Sequence, residues 1–256
     1  MSGFNVGPVD FTATSKGGVL SADLNRLALY GGGVSGKVKL AAKGDTLGLE
    51  TTMSIDKVKV DQLAQAATGE ASVVGVASGN LAITSTGRSP RALVQNLRGN
   101  FDFDLGEVKK APGGAISGAT VRLELPGLTA APKLAGYVVY NREKVEFAGT
   151  VDPLQKALEN GRFNADVKLN APRATLAYAG SVQHRPAFGL DGALNLDVAS
   201  VAQLAAWLGQ PLGKGQADPG PLKVAATMAA KGQTTTLKEA TITGKAMQAK
   251  ASGTFT

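Results

Sequence analysis

Strict alternation of apolar and polar residues constrains this chain more than any other feature. In GNFDFDLG (residues 99–106), Phe101, Phe103 and Leu105 fall on one side while Asp102 and Asp104 fall on the other. In ATVRLEL, Val121, Leu123 and Leu125 oppose Arg122 and Glu124. The same period recurs at Val145 and Phe147, at Phe163, Ala165, Val167 and Leu169, and at Phe188 and Leu190. It returns at Leu194, Leu196 and Val198, and at Leu222, Val224, Ala226 and Met228. A period of two belongs to a strand with one face toward apolar neighbours and the other toward water. Many such strands at short spacing predict an antiparallel sandwich, barrel or long curled sheet. Composition agrees: the 33 glycines in 256 residues follow no triplet and therefore mark turns and bulges. With only 5% aromatic residues, the apolar side must be mostly aliphatic.

Four short helical patches interrupt the alternation. VDQLAQAAT places Val60, Leu63, Ala64 and Ala67 on one stripe. In SPRALVQNL, Ser89 and Pro90 form an N-cap and first-turn pair, and Leu93 and Leu97 lie one turn apart. Asp152 and Pro153 open DPLQKALENG in the same way, with Leu154 and Leu158 on its stripe. Ser200 opens SVAQLAAWLG, where Val201, Leu204 and Leu208 share a face and Trp207 flanks it as a helix-to-sheet plug or a ligand contact. Each patch is followed by a glycine, at 69, 99, 161 and 209. Helices this short do not persist alone and must dock on something apolar.

Chemistry finds few footholds. With no cysteine and a single histidine, a Cys/His zinc site and a cysteine nucleophile are excluded. Gly31, Gly33 and Gly36 of YGGGVSGKVKL fit G-x-G-x-x-G, but a phosphate loop must open a helix and these glycines lead into an alternating strand. Val38 also stands where a Ser or Thr would hold magnesium. Asp102 and Asp104 read as solvated carboxylates, and His184 has neither nucleophile nor acid beside it in the sequence. No cofactor, no metal and no enzymatic activity are expected. The net charge of +7 is spread singly along the strands, which suits solubility and edge protection or mild attraction to an anionic membrane. No basic stripe is interleaved with aromatics, so nucleic acid is not an expected partner. No run of 18 apolar residues is present, and MSGFNVG lacks the pattern of a signal peptide. The expectation is a cytosolic protein or the soluble part of a longer one.

The order of these signals resembles a known family. LALYGGGVSGKVKL, then VDQLAQAATGE, then VASGNLAITSTGRSPRALVQNLRGNFDFDLG is similar to the C-terminal module of AsmA-family proteins. The likeness rests on a Tyr-Gly strand, a short helix, a turn at Gly87 and Ser89, a second helix with Leu93 and Leu97, and Gly99 entering an alternating strand. Ile116 and Gly118 fit the strand entry that closes that module, although Ala119-Thr120 replaces the apolar-acidic pair. LPGLTAAPKLAGYVVYNREKVEFAGTV with its DPLQKAL helix, and FGLDGALNLDVASVAQLAAWLGQPL, resemble the more N-terminal, β-rich part of the family, here placed second. These likenesses divide the chain into a module over 1–118 and another over 119–256.

What the resemblance implies is a mainly β, taco-like curled antiparallel sheet with several short helices. It implies a protein on the periplasmic face of the Gram-negative inner membrane, anchored through segments outside this chain. Its expected role is binding or conducting phospholipid along an apolar groove in outer-membrane biogenesis, with envelope proteins as further partners. The groove candidates are Phe101, Phe103, Leu105, Val121, Leu123, Val145, Phe147, Phe188, Leu190, Leu194 and Leu196. The residues alone leave two other readings open: a scaffold whose apolar face is a closed core without lipid, and a carbohydrate-active or hydrolytic β-protein with clustered acids in a cleft.

Overall fold

The computed structural model describes residues 6–62, 75–106, 116–156, 161–183, 188–232, 234–245 and 247–255. The protein is mainly β and divides into two compact units, Met1–Arg142 and Glu143–Thr256. The first unit carries β1 (Val6–Lys16), β2 (Val19–Leu29), β3 (Gly32–Lys43), β4 (Thr46–Lys59), β5 (Val76–Gly87), β6 (Arg98–Leu105), β7 (Ile116–Leu125) and β8 (Lys133–Tyr140). Between β5 and β6 lies helix α1 (Pro90–Gln95). The second unit carries β9 (Glu143–Val151), β10 (Arg162–Ala171), β11 (Ala174–Gln183), β12 (Gly189–Val198), β13 (Leu222–Lys231), β14 (Thr234–Gly244) and β15 (Gln248–Phe255). Helix α2 (Val201–Trp207) joins β12 to β13.

Within each unit the strands lie in chain order, each antiparallel to the next. β1 pairs with β2 alone and β15 with β14 alone, so neither unit closes into a barrel. The division differs from the one read off the sequence. Residues 118 and 119 sit inside β7, which is bonded to β6 on one side and β8 on the other. A boundary there would cut a ladder, whereas 142/143 falls in the turn where Asn141 and Arg142 take positive φ.

Register is fixed from both faces. On the polar side, oppositely charged residues stand directly across neighbouring strands: Asp23 and Lys37, Lys39 and Glu50, Asp102 and Arg122, Glu124 and Lys133, Asp197 and Lys223. All five form ion pairs of 3.1–3.9 Å between exposed side chains. Each adds only about 0.2–1 kcal/mol. Their weight lies in opposing slippage, because a shift of one residue would put every apolar side chain into water.

The two helices start as their sequences require. The Ser89 hydroxyl accepts from the Ala92 N–H at 3.2 Å with Pro90 in the first turn, and the Ser200 hydroxyl accepts from the Gln203 N–H at 3.1 Å. The helical turns opening at Val60 and at Leu154 run into residues 63–74 and 157–160, which lie outside the described residues, as do Leu63, Ala64, Ala67, Leu158 and His184. The glycine-rich YGGGVSG is a turn and a strand, as its alternation requires: Tyr30 and Gly31 turn at positive φ, and Gly32 opens β3.

A second tie at α2 is not visible in the local pattern. The Asp218 carboxylate accepts from the Ser200 hydroxyl at 2.6 Å and from the backbone N–H groups of Ala202 and Gly220 at 3.0 Å. These bonds, the Ser200 hydroxyl foremost, hold its carboxyl below the usual range. A carboxyl lowered in the folded state stabilises above its unfolded value, near 3.8, and loses that contribution as pH falls through the lower folded value. Asp218→Asn should therefore melt below wild type at pH 6, and the gap should narrow steadily below pH 4. Melting curves across that range check it, and a gap independent of pH would refute it.

Candidate functional site

Cross-strand register assembles the alternating apolar residues into continuous rows. In the first unit one row runs Phe11, Leu24, Gly36, Met53, Leu81, Phe101, Leu123, Leu134, with one residue from each of the eight strands. Beside it runs Val9, Leu27, Val34, Ile55, Gly79, Phe103, Val121, Gly136. In the second unit one row reads Phe147, Leu169, Leu176, Leu196, Val224, Ile242, Ala249, and the next passes through Val167, Tyr178, Leu194, Ala226 and Ala240. At about 4.8 Å per strand, eight strands give a row roughly 34 Å long.

These side chains are half-buried by one another and are not enclosed. Among the described residues, the buried apolar side chains are Tyr30, Val58, Leu125, Pro132, Ala165, Val198, Ala226 and Ala240, few of which are large. No second sheet or long helix packs across the middle rows among the described residues. α1 sits at the end of β5, where the Ser85 hydroxyl donates to the Leu93 carbonyl and the Asn96 amide donates to the Thr86 carbonyl at 2.8 Å. In the second unit α2 follows directly on the end of β12, and Arg173 lies over its Trp207 ring at 5.9 Å while pairing with Glu143. Trp207 thus belongs to a cluster at a strand end. At the free edge of the first unit the rows run out in Phe11, 66% exposed, and Val9, 51% exposed.

Glycines on this face lie beneath large neighbours. A Cβ on Gly79 would fall 2.9 Å from Cδ1 of Phe103, and one on Gly99 would fall 3.4 Å from Cε2 of Phe101. Gly180 and Gly192 stand directly opposite each other on β11 and β12. A Cβ on Gly180 would lie 2.5 Å from both the Asp191 carbonyl oxygen and the Gly192 Cα. Tyr178 lies beside that gap, its hydroxyl donating to the Ser181 carbonyl at 2.8 Å, and burial raises its pKa. Rings laid across such gaps allow the strands to approach closely and keep the face smooth.

The structure places Phe101, Phe103, Leu105, Val121 and Leu123 together on the apolar face of the first unit. Phe147, Leu190, Leu194 and Leu196 lie together on that of the second, and Val145 alternates onto the same side as Phe147. Phe188 stands apart: it precedes β12 and is 59% exposed. Sequence reading missed Phe11, Leu24, Met53 and Leu81, whose strands carry polar, small or glycine residues among the apolar ones. A recess of about 950 Å³ in the first unit lies on the opposite, water-facing side, lined by Asp23, Asn25, Lys37, Ser54, Asn80 and Asp102 among others. There Asp102 pairs with Arg122, and Asp104 accepts from the Thr120 hydroxyl at 3.2 Å. No group of residues suited to a metal occurs among the described residues.

Each unit is thus an open, single-layer antiparallel β-sheet with one continuous apolar face and one ion-paired face. Residues 11–123, which run from β1 into β7, match the AsmA family. The matched stretch, which lies inside the first unit, is similar to that family. Comparisons with curated proteins and with solved structures found no match. The stretches 125–158 and 188–212, which resemble the β-rich part of the family, lie beyond the matched residues.

Proposed function

We propose that the chain is a non-enzymatic module of a periplasmic envelope protein that holds phospholipid acyl chains against its apolar sheet face. The observation that carries this reading is the eight-residue row from Phe11 to Leu134, apolar but for one glycine and half-exposed for most of its length, with no second layer over it among the described residues. A sheet face of this kind must bury itself against another element or serve a ligand. Each methylene withdrawn from water contributes about 0.8 kcal/mol. A leaflet of hydrocarbon is only about 15 Å deep, so a row of roughly 34 Å accommodates chains laid end to end across the strands. Movement along the rows would serve transfer between membranes in outer-membrane biogenesis.

Native mass spectrometry of gently purified protein should show bound phospholipid. Photoreactive residues at Phe103 and Phe147 should crosslink lipid in cells, while the same residue at Thr52 on the polar face should not. Protein free of lipid, with crosslinks to polypeptide only, would favour the scaffold reading instead. The exposed Phe11 and Val9 on edge strand β1, which is paired on one side alone, are the feature that supports that alternative.

A further inference from the structure

The positive charge of the first unit is not evenly placed. Because its strands alternate in direction, β1, β3 and β5 finish at the end where β6 begins and where α1 sits. Lys16 closes β1, Lys43 closes β3, Arg91 lies in α1 and Arg98 opens β6. All four are exposed, and none makes a side-chain ion pair or side-chain hydrogen bond among the described residues. The acids at this end are already engaged, Asp45 by Arg88 at 3.3 Å and Glu50 by Lys39 at 3.9 Å. Toward the opposite end, Arg26, Lys57, Lys59 and Arg142 are balanced by Asp10, Asp56, Asp61 and Asp104 among the described residues. The excess cations span β1 to β6, roughly 24 Å at the strand spacing.

Two apolar side chains stand exposed at the same end: Leu20, at 46%, and Val94 of α1, at 54%. A band of unpaired cations with exposed aliphatic residues between them, and without aromatic rings to stack on bases, matches a surface of phosphates over hydrocarbon. We propose that this end of the first unit docks on the surface of an anionic phospholipid bilayer. The inference does not depend on the apolar rows carrying acyl chains. It concerns headgroups met at a strand end, and the two readings fail separately.

The test is cosedimentation of the full chain with vesicles of phosphatidylcholine alone or with 30% phosphatidylglycerol. A variant with Lys16→Gln, Lys43→Gln, Arg91→Gln and Arg98→Gln is compared with an equal-charge control, Arg26→Gln, Lys57→Gln, Lys59→Gln and Arg142→Gln. Each cation near an anionic surface is worth about fivefold in binding. The first variant should therefore bind the anionic vesicles at least a hundredfold more weakly than wild type on the order of 0.1 M salt. The control should stay within a few-fold of wild type, and raising salt to about 0.5 M should abolish the difference. If the fourfold variant does not fold, Arg91→Gln, at an exposed helical position, should still lose about fivefold. Equal losses in variant and control, equal binding to neutral vesicles, or binding to a polyanionic glycan such as heparin but not to vesicles would each overturn the proposal.

Discussion

Gly180→Val should lower the melting temperature of the second unit by on the order of 10 °C. Gly180 faces Gly192 across the β11–β12 ladder, and the two backbones approach so closely that a first side-chain carbon would overlap the Asp191 carbonyl and the Gly192 Cα at 2.5 Å. Neither atom can give way, since both are backbone within a hydrogen-bonded ladder. Overpacking in a tight site costs about 1–3 kcal/mol, and separating the strands forfeits hydrogen bonds at about 1 kcal/mol each. Gly192→Val should behave alike, and the double variant should cost less than the sum because both act on one contact. Gly209→Ala provides a contrast. Its positive φ of 80° carries strain, but nothing lies within 4 Å, so its loss should be near 1 kcal/mol. Thermal unfolding of the four proteins decides the matter, and a Gly180→Val protein that melts with wild type would show that the strands separate freely there.

Leu123→Glu should leave the protein folded and remove most of its lipid. Leu123 sits in the row between Phe101 and Leu134 on a half-exposed face. The carboxylate can reach water beside the sheet, and the expected stability loss is about 1–2 kcal/mol. Phospholipid per protein should fall at least tenfold, because an acyl chain would have to cross a charge. Leu125→Glu, two residues along the same strand, is the counterpart: Leu125 is only 5% exposed, and a charge there should unfold the first unit. Melting curves and phosphate analysis of both variants separate an open face from a closed core. If Leu123→Glu unfolds as completely as Leu125→Glu, the row is core and the lipid reading fails.

The parts of this architecture that depend on near neighbours along the chain are legible in the sequence itself. GNFDFDLG and ATVRLEL assign their own faces, and Ser89-Pro90 announces α1, because alternation and capping are local. β1 shows the limit. Its residues from Gly7 to Lys16 are all exposed, so no inward face imposes a pattern on them. AYAGSV in β11 is hidden for another reason: Gly180 is a gap that Tyr178 spans from two residues away. The ion-pair ladders and the Asp218 tie to Ser200 join residues 9 to 26 positions apart, through register and a loop return that spacing alone does not disclose. The groove candidates come from the most regular strands, and so omit the row's continuation through Met53 and Leu81.

The chain-order meander of each unit has a consequence for how such a protein assembles and changes. Every ladder joins strands adjacent in sequence, so each hairpin can close without waiting for distant segments, and folding can spread from any of them. A surface made this way is also modular in descent. Duplicating or deleting one hairpin lengthens or shortens every row by about 10 Å while leaving its neighbours' register intact, so the reach of the apolar face can be reset without rebuilding a core.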